Sequence, residues 1–244
     1  MTGALRLRVA SYNVRDLLDD RAAAARVVRA IQPDVLCLQE VPRRLTTEFS
    51  LPAFARACGL YWAGGRRGTG GTAILTSLRV HTHRIRAARL AVRFPDRTRG
   101  YAAQLVSLPG SQPLWVVSVH LGLGAEERER HLAEVLAAIP APAVIAGDLN
   151  EGPTGRAWAR LAAAYRKVSG DHPTYPAGRP TAELDVIFAS PEVVTTPGDA
   201  CGIRSGDASS NTVGDTAVHP LHEDLVAASD HRPCWVDLAL PAAD

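Results

Sequence analysis

The sequence predicts an α/β protein in which two packed β-sheets carry helices on their outer faces. Three observations support this. Strand-like apolar runs far outnumber helical stretches. Some of those runs are wholly apolar, as strands covered on both faces are. The few helical stretches have a single apolar stripe to bury, so they belong outside the sheets.

The elements follow in order. Leu5 to Val14 places Leu5, Leu7, Val9, Ser11 and Asn13 on one face, a period of two and hence a strand. Asp20 to Ile31 carries Ala24, Val27, Val28 and Ile31 at helical spacing, with Asp19 or Asp20 as N-cap and Pro33 closing the segment. Val35-Leu36-Cys37-Leu38 reads as a buried strand. Further strands are expected at Thr72 to Thr76, Tyr101 to Leu108, Leu114 to His120, Ala143 to Ala146, Leu184 to Ala189 and Cys234 to Leu240. Glu126 to Ile139 fits a second helix, with Leu132, Val135, Leu136 and Ile139 on one face and acids in its first turn. A shorter third helix follows Pro153 and runs through Trp158 and Leu161. The stretch at about 195–228 is rich in Gly, Ser, Asp and Thr and reads as a long loop. No composition break divides the chain, so one domain over 1–244 is expected.

Composition narrows the function classes. Hydrophobic residues at 46% and charged residues at 21% are ordinary globular values and exclude bulk disorder. No apolar run approaches the length of about eighteen residues that a membrane span needs. The segment Met1 to Arg8 lacks a basic stretch before a long apolar core, so no secretory signal is expected. The four cysteines form no C-x-x-C pair, which excludes a redox motif or zinc knuckle. Cys37 and Cys234 lie in apolar runs and read as core residues, and a reducing, cytoplasmic setting follows as the expectation. Nothing in the sequence asks for an obligate protein partner. Lys167 is the only lysine, so 26 of the 27 basic residues are arginine. A GC-rich coding bias explains that, as does a preference for bidentate phosphate recognition. The net charge of +2 does not demand duplex nucleic acid.

The chemistry gathers at strand boundaries. Apolar runs lead into Asn13, Glu40, His120 and the group Asp148, Leu149, Asn150; Asp185 opens a strand, and Asp230 and His231 precede the last one. Four carboxylates, two asparagines and two histidines recur at the same kind of position. A hard divalent cation such as magnesium takes oxygen ligands, only one or two of them carboxylates. Glu40 suits it best, because a carboxylate following a buried strand needs a cation to offset desolvation. Hydrolysis at phosphorus further needs an activated water and stabilised charge, and histidine beside a carboxylate is the usual base. Each residue alone is more often a turn former, a solvated side chain or a satisfied core residue. Their joint occurrence carries the argument.

Six segments occur in order: Ser11-Tyr12-Asn13-Val14, Leu38-Gln39-Glu40-Val41, Ser118-Val119-His120-Leu121, Gly147-Asp148-Leu149-Asn150, Leu184-Asp185-Val186-Ile187 and Ser229-Asp230-His231-Arg232-Pro233. Together they resemble the endonuclease/exonuclease/phosphatase superfamily of metal-dependent phosphohydrolases. The resemblance implies a four-layered α/β sandwich, two mixed sheets flanked by helices, with the site at one edge. It implies that Glu40 ligates magnesium or manganese, with Asn13 beside the metal and its phosphate and Asp230 assisting. Asp148 would activate water, Asn150 would bind phosphoryl oxygens, and Asp185 would hold the ring of His231, which contacts phosphate or acts as base. His120 would stabilise charge or assist the leaving group. His120 followed by leucine looks more like the sphingomyelinase, deoxyribonuclease and deadenylase side than the abasic-site endonucleases. Arg128 and His131 resemble an R-x-x-Q pattern, with His131 in the glutamine's place. Arg99 resembles an arginine that relatives present to substrate. Arg66, in Arg66-Arg67-Gly68-Thr69-Gly70-Gly71, reads as a phosphate contact or a plain turn.

Two departures concern the substrate groove: Glu183 stands where relatives often carry a basic residue, and Val186 where they often carry an aromatic. The stretch from Cys201 to Leu225, holding His219, His222, Glu223 and Asp224, reads either as a solvated loop or as a lid or second metal site. The expected activity is hydrolysis of a phosphodiester, nucleic acid ahead of lipid or metabolite. A small-molecule phosphatase is the alternative, and a catalytically silent binding module the remote one.

Overall fold

Each predicted strand run finds a partner strand. The computed structural model describes residues 5–42, 47–64, 68–195 and 219–243. In chain order its strands begin β1 (Leu5–Asn13), β2 (Val35–Gln39), β3 (Ala73–Thr76), β4 (His81–Leu90), β5 (Arg99–Ser107) and β6 (Leu114–His120). They continue β7 (Ala143–Asp148), β8 (Arg166–Lys167), β9 (Asp185–Ala189), β10 (Val194–Thr195) and β11 (Cys234–Leu240). The helices are α1 (Arg21–Ile31), α2 (Thr47–Ala57), α3 (Ala125–Ala138), α4 (Arg156–Ala162) and α5 (His222–Ala228).

Two mixed sheets result, ordered β10-β11-β1-β2-β3 and β4-β5-β6-β7-β9-β8. In each, one central pair is parallel, β1 with β2 and β6 with β7, and the other pairs are antiparallel. Alternation along β1 shows how the layers form. Leu7 and Val9 face the second sheet and join Val35, Val116, Val144 and Ile187 in the inter-sheet core. Ala10 and Tyr12 face outward against Val27 and Val28 of α1 and Leu225 of α5. On the far side, Leu132 and Val135 of α3 and Trp158 and Leu161 of α4 cover Trp115, Val117, Ile145 and Phe188. Helices, sheet, sheet, helices make four layers. Asp20 starts α1 by accepting from the backbone N–H groups of Ala22 and Ala23.

The structure adds elements to the sequence reading, among them the two-residue strands β8 and β10, too short to show a period. The end of the expected loop at about 195–228 is helical, as α5, and residues 196–218 lie outside the described residues. Among the described residues, His222, Glu223 and Asp224 on that helix join no cluster of metal-type ligands. Asp224 pairs with Arg26 on α1 at 2.6 Å, and His222 Nδ1 lies 3.3 Å from Arg232 Nη2. Helix α2 went unread because Pro52 sits inside it. Of strand β4 the sequence marks only His81-Thr82-His83 as extended, since most of its residues are exposed or half-buried.

The parallel β6–β7 ladder has no room for a side chain at Gly147, where a Cβ would lie 2.0 Å from the Val119 carbonyl oxygen. Gly147→Ala must therefore push apart two strands that end in His120 and Asp148. We expect a loss of about 3 kcal/mol in chemical denaturation, typical of overpacking a tight interior, together with lost activity. An unchanged midpoint would show that the strands can separate freely.

Candidate active site

The inter-sheet core turns polar toward one end of the strands. Ser11 Oγ donates to Gln39 Oε1 at 3.4 Å, Gln39 Nε2 to Ser118 Oγ at 3.1 Å, and Ser118 Oγ to the Leu38 carbonyl at 2.8 Å. This buried layer satisfies itself. One step further along each strand comes the next inward-facing position: Asn13 on β1, His120 on β6, Asp148 on β7. Register puts His120 opposite Asp148, and Asp148 opposite Asp185. Paired residues share a face, so the three form one row across β6, β7 and β9.

Asp148 is the hub. Its Oδ2 accepts from Asn13 Nδ2 at 3.0 Å across the sheets and lies 3.5 Å from His120 Nε2 and 3.9 Å from His231 Nε2. Its Oδ1 accepts from the Asn150 backbone N–H at 2.8 Å. His231 Nδ1 lies 2.8 Å from Asp185 Oδ2. Asn150 turns its amide Nδ2 to the Leu121 carbonyl at 2.8 Å, and the Arg99 Nε donates to that same oxygen at 2.8 Å. Arg99 is therefore buried beneath the row rather than displayed above it.

Burial and charge set the protonation chemistry. Burial, then the nearby Asp185 charge, push the Asp148 carboxyl well above the usual range, against the pull of His231 and two hydrogen bonds. Burial alone would lower His231, but the adjoining Asp185, with Asp148 and Asp230, raises it to about 10. The pair of a charged imidazole and Asp185 is thus favoured across neutral pH. Its stabilisation is full below the free-histidine value of about 6.5 and fades as pH rises toward 10. In EDTA, the melting-temperature gap between wild type and His231→Gln should narrow steadily from pH 6.5 to 10. A gap constant over that range would mean that the ring is not held charged.

Glu40 stands at the solvent side of this row. Its Oε1 is 3.9 Å from His120 Nε2, and its Oε2 is 3.3 Å from Arg97 Nη1. Asp16 shares that guanidinium at 2.9 Å. The backbone draws the two acids together, because the Asp16 N–H donates to the Glu40 carbonyl at 2.6 Å. Asp230 is more exposed and has Arg15 Nε at 3.6 Å. The left-handed backbone is concentrated here. Of the six non-glycine residues with positive φ among those described, Arg15, Asp16, Leu17, Glu40 and Asn150 flank the row; Gln32 ends α1. Strain of this kind persists where the surroundings enforce it, and it gathers at functional sites.

The structure thus brings together Asn13, Glu40, His120, Asp148, Asn150, Asp185 and His231, with Asp230 at the rim and Arg99 behind. Arg66 lies outside the described residues. Sequence reasoning missed three neighbours. Asp16 sits in the short 3-10 turn Arg15–Leu17 and Arg97 on a loop, neither with a periodic signal, although Asp16 follows Asn13 closely enough to have been suspected. Tyr175 places its ring 4.9 Å from that of His231. Two residues read from the following helix frame the loops. Arg128 Nε donates to Glu151 Oε2 at 2.6 Å, and Glu151 Oε1 accepts from the Trp158 N–H at 2.6 Å. His131 accepts from the Gly122 N–H and meets the Ala91 carbonyl.

For a divalent cation the donor set fits. Asp16 and Glu40 offer carboxylate oxygens, which a hard ion prefers, and they already hold a positive group between them. The ligand atoms of Asp148, Asp185 and His231 also lie within 4.8 Å of one another. There the histidine already supplies the countercharge, so that cluster is better suited to holding a proton.

The sequence profile of the Endonuclease/Exonuclease/phosphatase family matches residues 10–231. No curated protein sequence matches significantly. Among solved structures, an endonuclease/exonuclease/phosphatase from Bacteroides vulgatus superposes with TM-score 0.72 at 16% identity, over 97% of this chain and 99% of that one. A mannosyl-6-phosphatase from Bacteroides thetaiotaomicron gives 0.70 at 18% identity, over 96% and 99%. The human Nocturnin catalytic domain with bound sulfate gives 0.64 at 20% identity, over 97% and 96%. At these identities the likeness concerns the fold. No helix among the described residues is long and apolar enough to cross a membrane.

Proposed function

Because the chain belongs to the endonuclease/exonuclease/phosphatase family, we propose that it hydrolyses a phosphate ester with the help of magnesium or manganese. The observation that carries this reading is Asp148 Oδ2, held 3.0 Å from Asn13 and facing both His120 and His231 within 3.9 Å. Such a carboxylate orients a water and takes its proton as it attacks phosphorus. The raised affinity of Asp148 for a proton makes it a better base than an exposed aspartate. His231, kept charged by Asp185, and His120 stabilise the negative charge that grows on the phosphoryl oxygens, with Asn150 beside them. Glu40 and Asp16 would hold the metal, with Asn13 and Asp230 close by, and the metal would supply Lewis-acid stabilisation of phosphoryl charge. Arg99 positions Asn150 through their shared carbonyl.

A phosphodiester, nucleic acid first, is the substrate we favour, with a metabolite phosphomonoester as the alternative. The mannosyl-6-phosphatase neighbour keeps that alternative in play. The test is a hydrolysis screen in magnesium and in manganese. It would compare single- and double-stranded DNA, RNA, bis-p-nitrophenyl phosphate, p-nitrophenyl phosphate, sphingomyelin and phosphorylated sugars. Turnover of a diester that EDTA stops supports the reading. Release of phosphate from sugars alone selects the phosphatase, and silence on every ester refutes both.

A further inference from the structure

Arg97 is not explained by the chemistry above. It lies on the β4–β5 connection and places one Nη1 2.9 Å from Asp16 and 3.3 Å from Glu40, while its own side chain stays 56% exposed. The two carboxylates are only 18% and 17% exposed. Arg97 is therefore the solvent-facing partner and the acids the enclosed ones. The connection is tied down around it. Ala91 O meets His131 Nε2 at 2.7 Å and Arg130 Nη2 at 3.3 Å, the Arg93 N–H donates to Glu127 Oε1 at 2.7 Å, and the Asp96 N–H closes a turn onto Arg93 O. If the guanidinium lets go of the acids, its backbone stays beside the site.

We propose that Arg97 is a substrate-phosphate residue that rests on Asp16 and Glu40 until a divalent cation takes those oxygens. This rests on the metal site proposed above. The guanidinium and a divalent cation compete for the charge of the same two carboxylates, at Asp16 Oδ2 and Glu40 Oε2, and the cation carries twice the charge. Displacement is inexpensive, because an ion pair with one side this exposed contributes little. The released fork has fixed charge, cannot lose its proton, and matches two phosphoryl oxygens bidentately. The same side chain thus opposes metal binding and favours substrate binding. Metal would prime the site for an anionic ester by freeing an arginine at its rim.

The test separates the two roles. Binding of Mn2+ alone, followed by electron paramagnetic resonance, should tighten about threefold to tenfold in Arg97→Ala, the release of one or two weak ion pairs. KM for whichever ester the wild type turns over should rise about tenfold, a lost charge-assisted contact, with a smaller fall in kcat. Arg97→Lys should lie between in both. A merely structural arginine would not move metal and substrate affinity in opposite directions. Unchanged or weakened Mn2+ binding in Arg97→Ala overturns the proposal. Glu40→Gln is the control: if it binds Mn2+ as the wild type does, the metal site itself is misplaced and both readings fall. If it loses Mn2+ while Arg97→Ala matches the wild type, only the role of Arg97 falls.

Discussion

Asp148→Asn will lower kcat by about a thousandfold or more and at the same time raise the melting temperature. The two effects share one cause. The wild-type carboxylate is buried, 1% exposed, near the charge of Asp185. Its proton affinity is raised, so its ionised form is less comfortable in the fold than in the unfolded chain. At neutral pH that discomfort opposes folding, and a neutral side chain of the same shape removes it. The amide oxygen can replace only one of the two acceptors, so one of the bonds from Asn13 Nδ2 and the Asn150 N–H is given up, a smaller cost than the desolvation that is relieved. It cannot take a proton from water, and loss of a general base is commonly worth about a hundredfold to ten-thousandfold. Steady-state kinetics and calorimetry on the same sample check both halves. Lost activity with lower stability would mean that Asp148 is a structural residue first.

Removing the metal should have the larger effect on turnover. EDTA is expected to bring activity to background, and Glu40→Gln should lower it about a hundredfold or more at a fixed, low manganese concentration. The amide keeps the volume and one oxygen but forfeits the charge that holds a cation. Raising manganese should restore part of the loss in Glu40→Gln, because Asp16 remains. Its fold should be unaffected, since Glu40 stands at the rim, bonded through an exposed arginine. Full activity in EDTA would exclude the proposed mechanism outright.

The fold was legible where burial is regular. β1, β2, β6 and β11 alternate or are wholly apolar because sheets and helices cover both their faces, and their ends were read to within a residue or two. The site row was legible for the same reason: a polar residue at the end of a buried strand stands out. What went unread lacks that contrast. Strand β4 lies at an edge, its arginines in solvent, so no two-residue rhythm marks it. Helix α2 carries a proline, and α5 follows a polar stretch that masks its start. Arg97 and Tyr175 reach the site through loop geometry, which single residues in a sequence do not encode. Arg99 was found for its position, yet its burial under Leu121 depends on tertiary packing that no local pattern reports.

The row of His120, Asp148 and Asp185 also bears on how such a protein diverges. Spacing between these residues is set by ladder hydrogen bonds between neighbouring strands, whose separation of about 4.8 Å is the same in any sheet. It does not depend on the loops that rise around them. Insertions, deletions and wholesale replacement of the rim can therefore accumulate without moving the reacting groups relative to one another. The chemistry is inherited with the sheet, while the choice of ester is left to segments free to drift. A scaffold of this kind invites loop grafting: exchanging the β4–β5 connection between relatives should change which ester is accepted and leave the hydrolytic step intact.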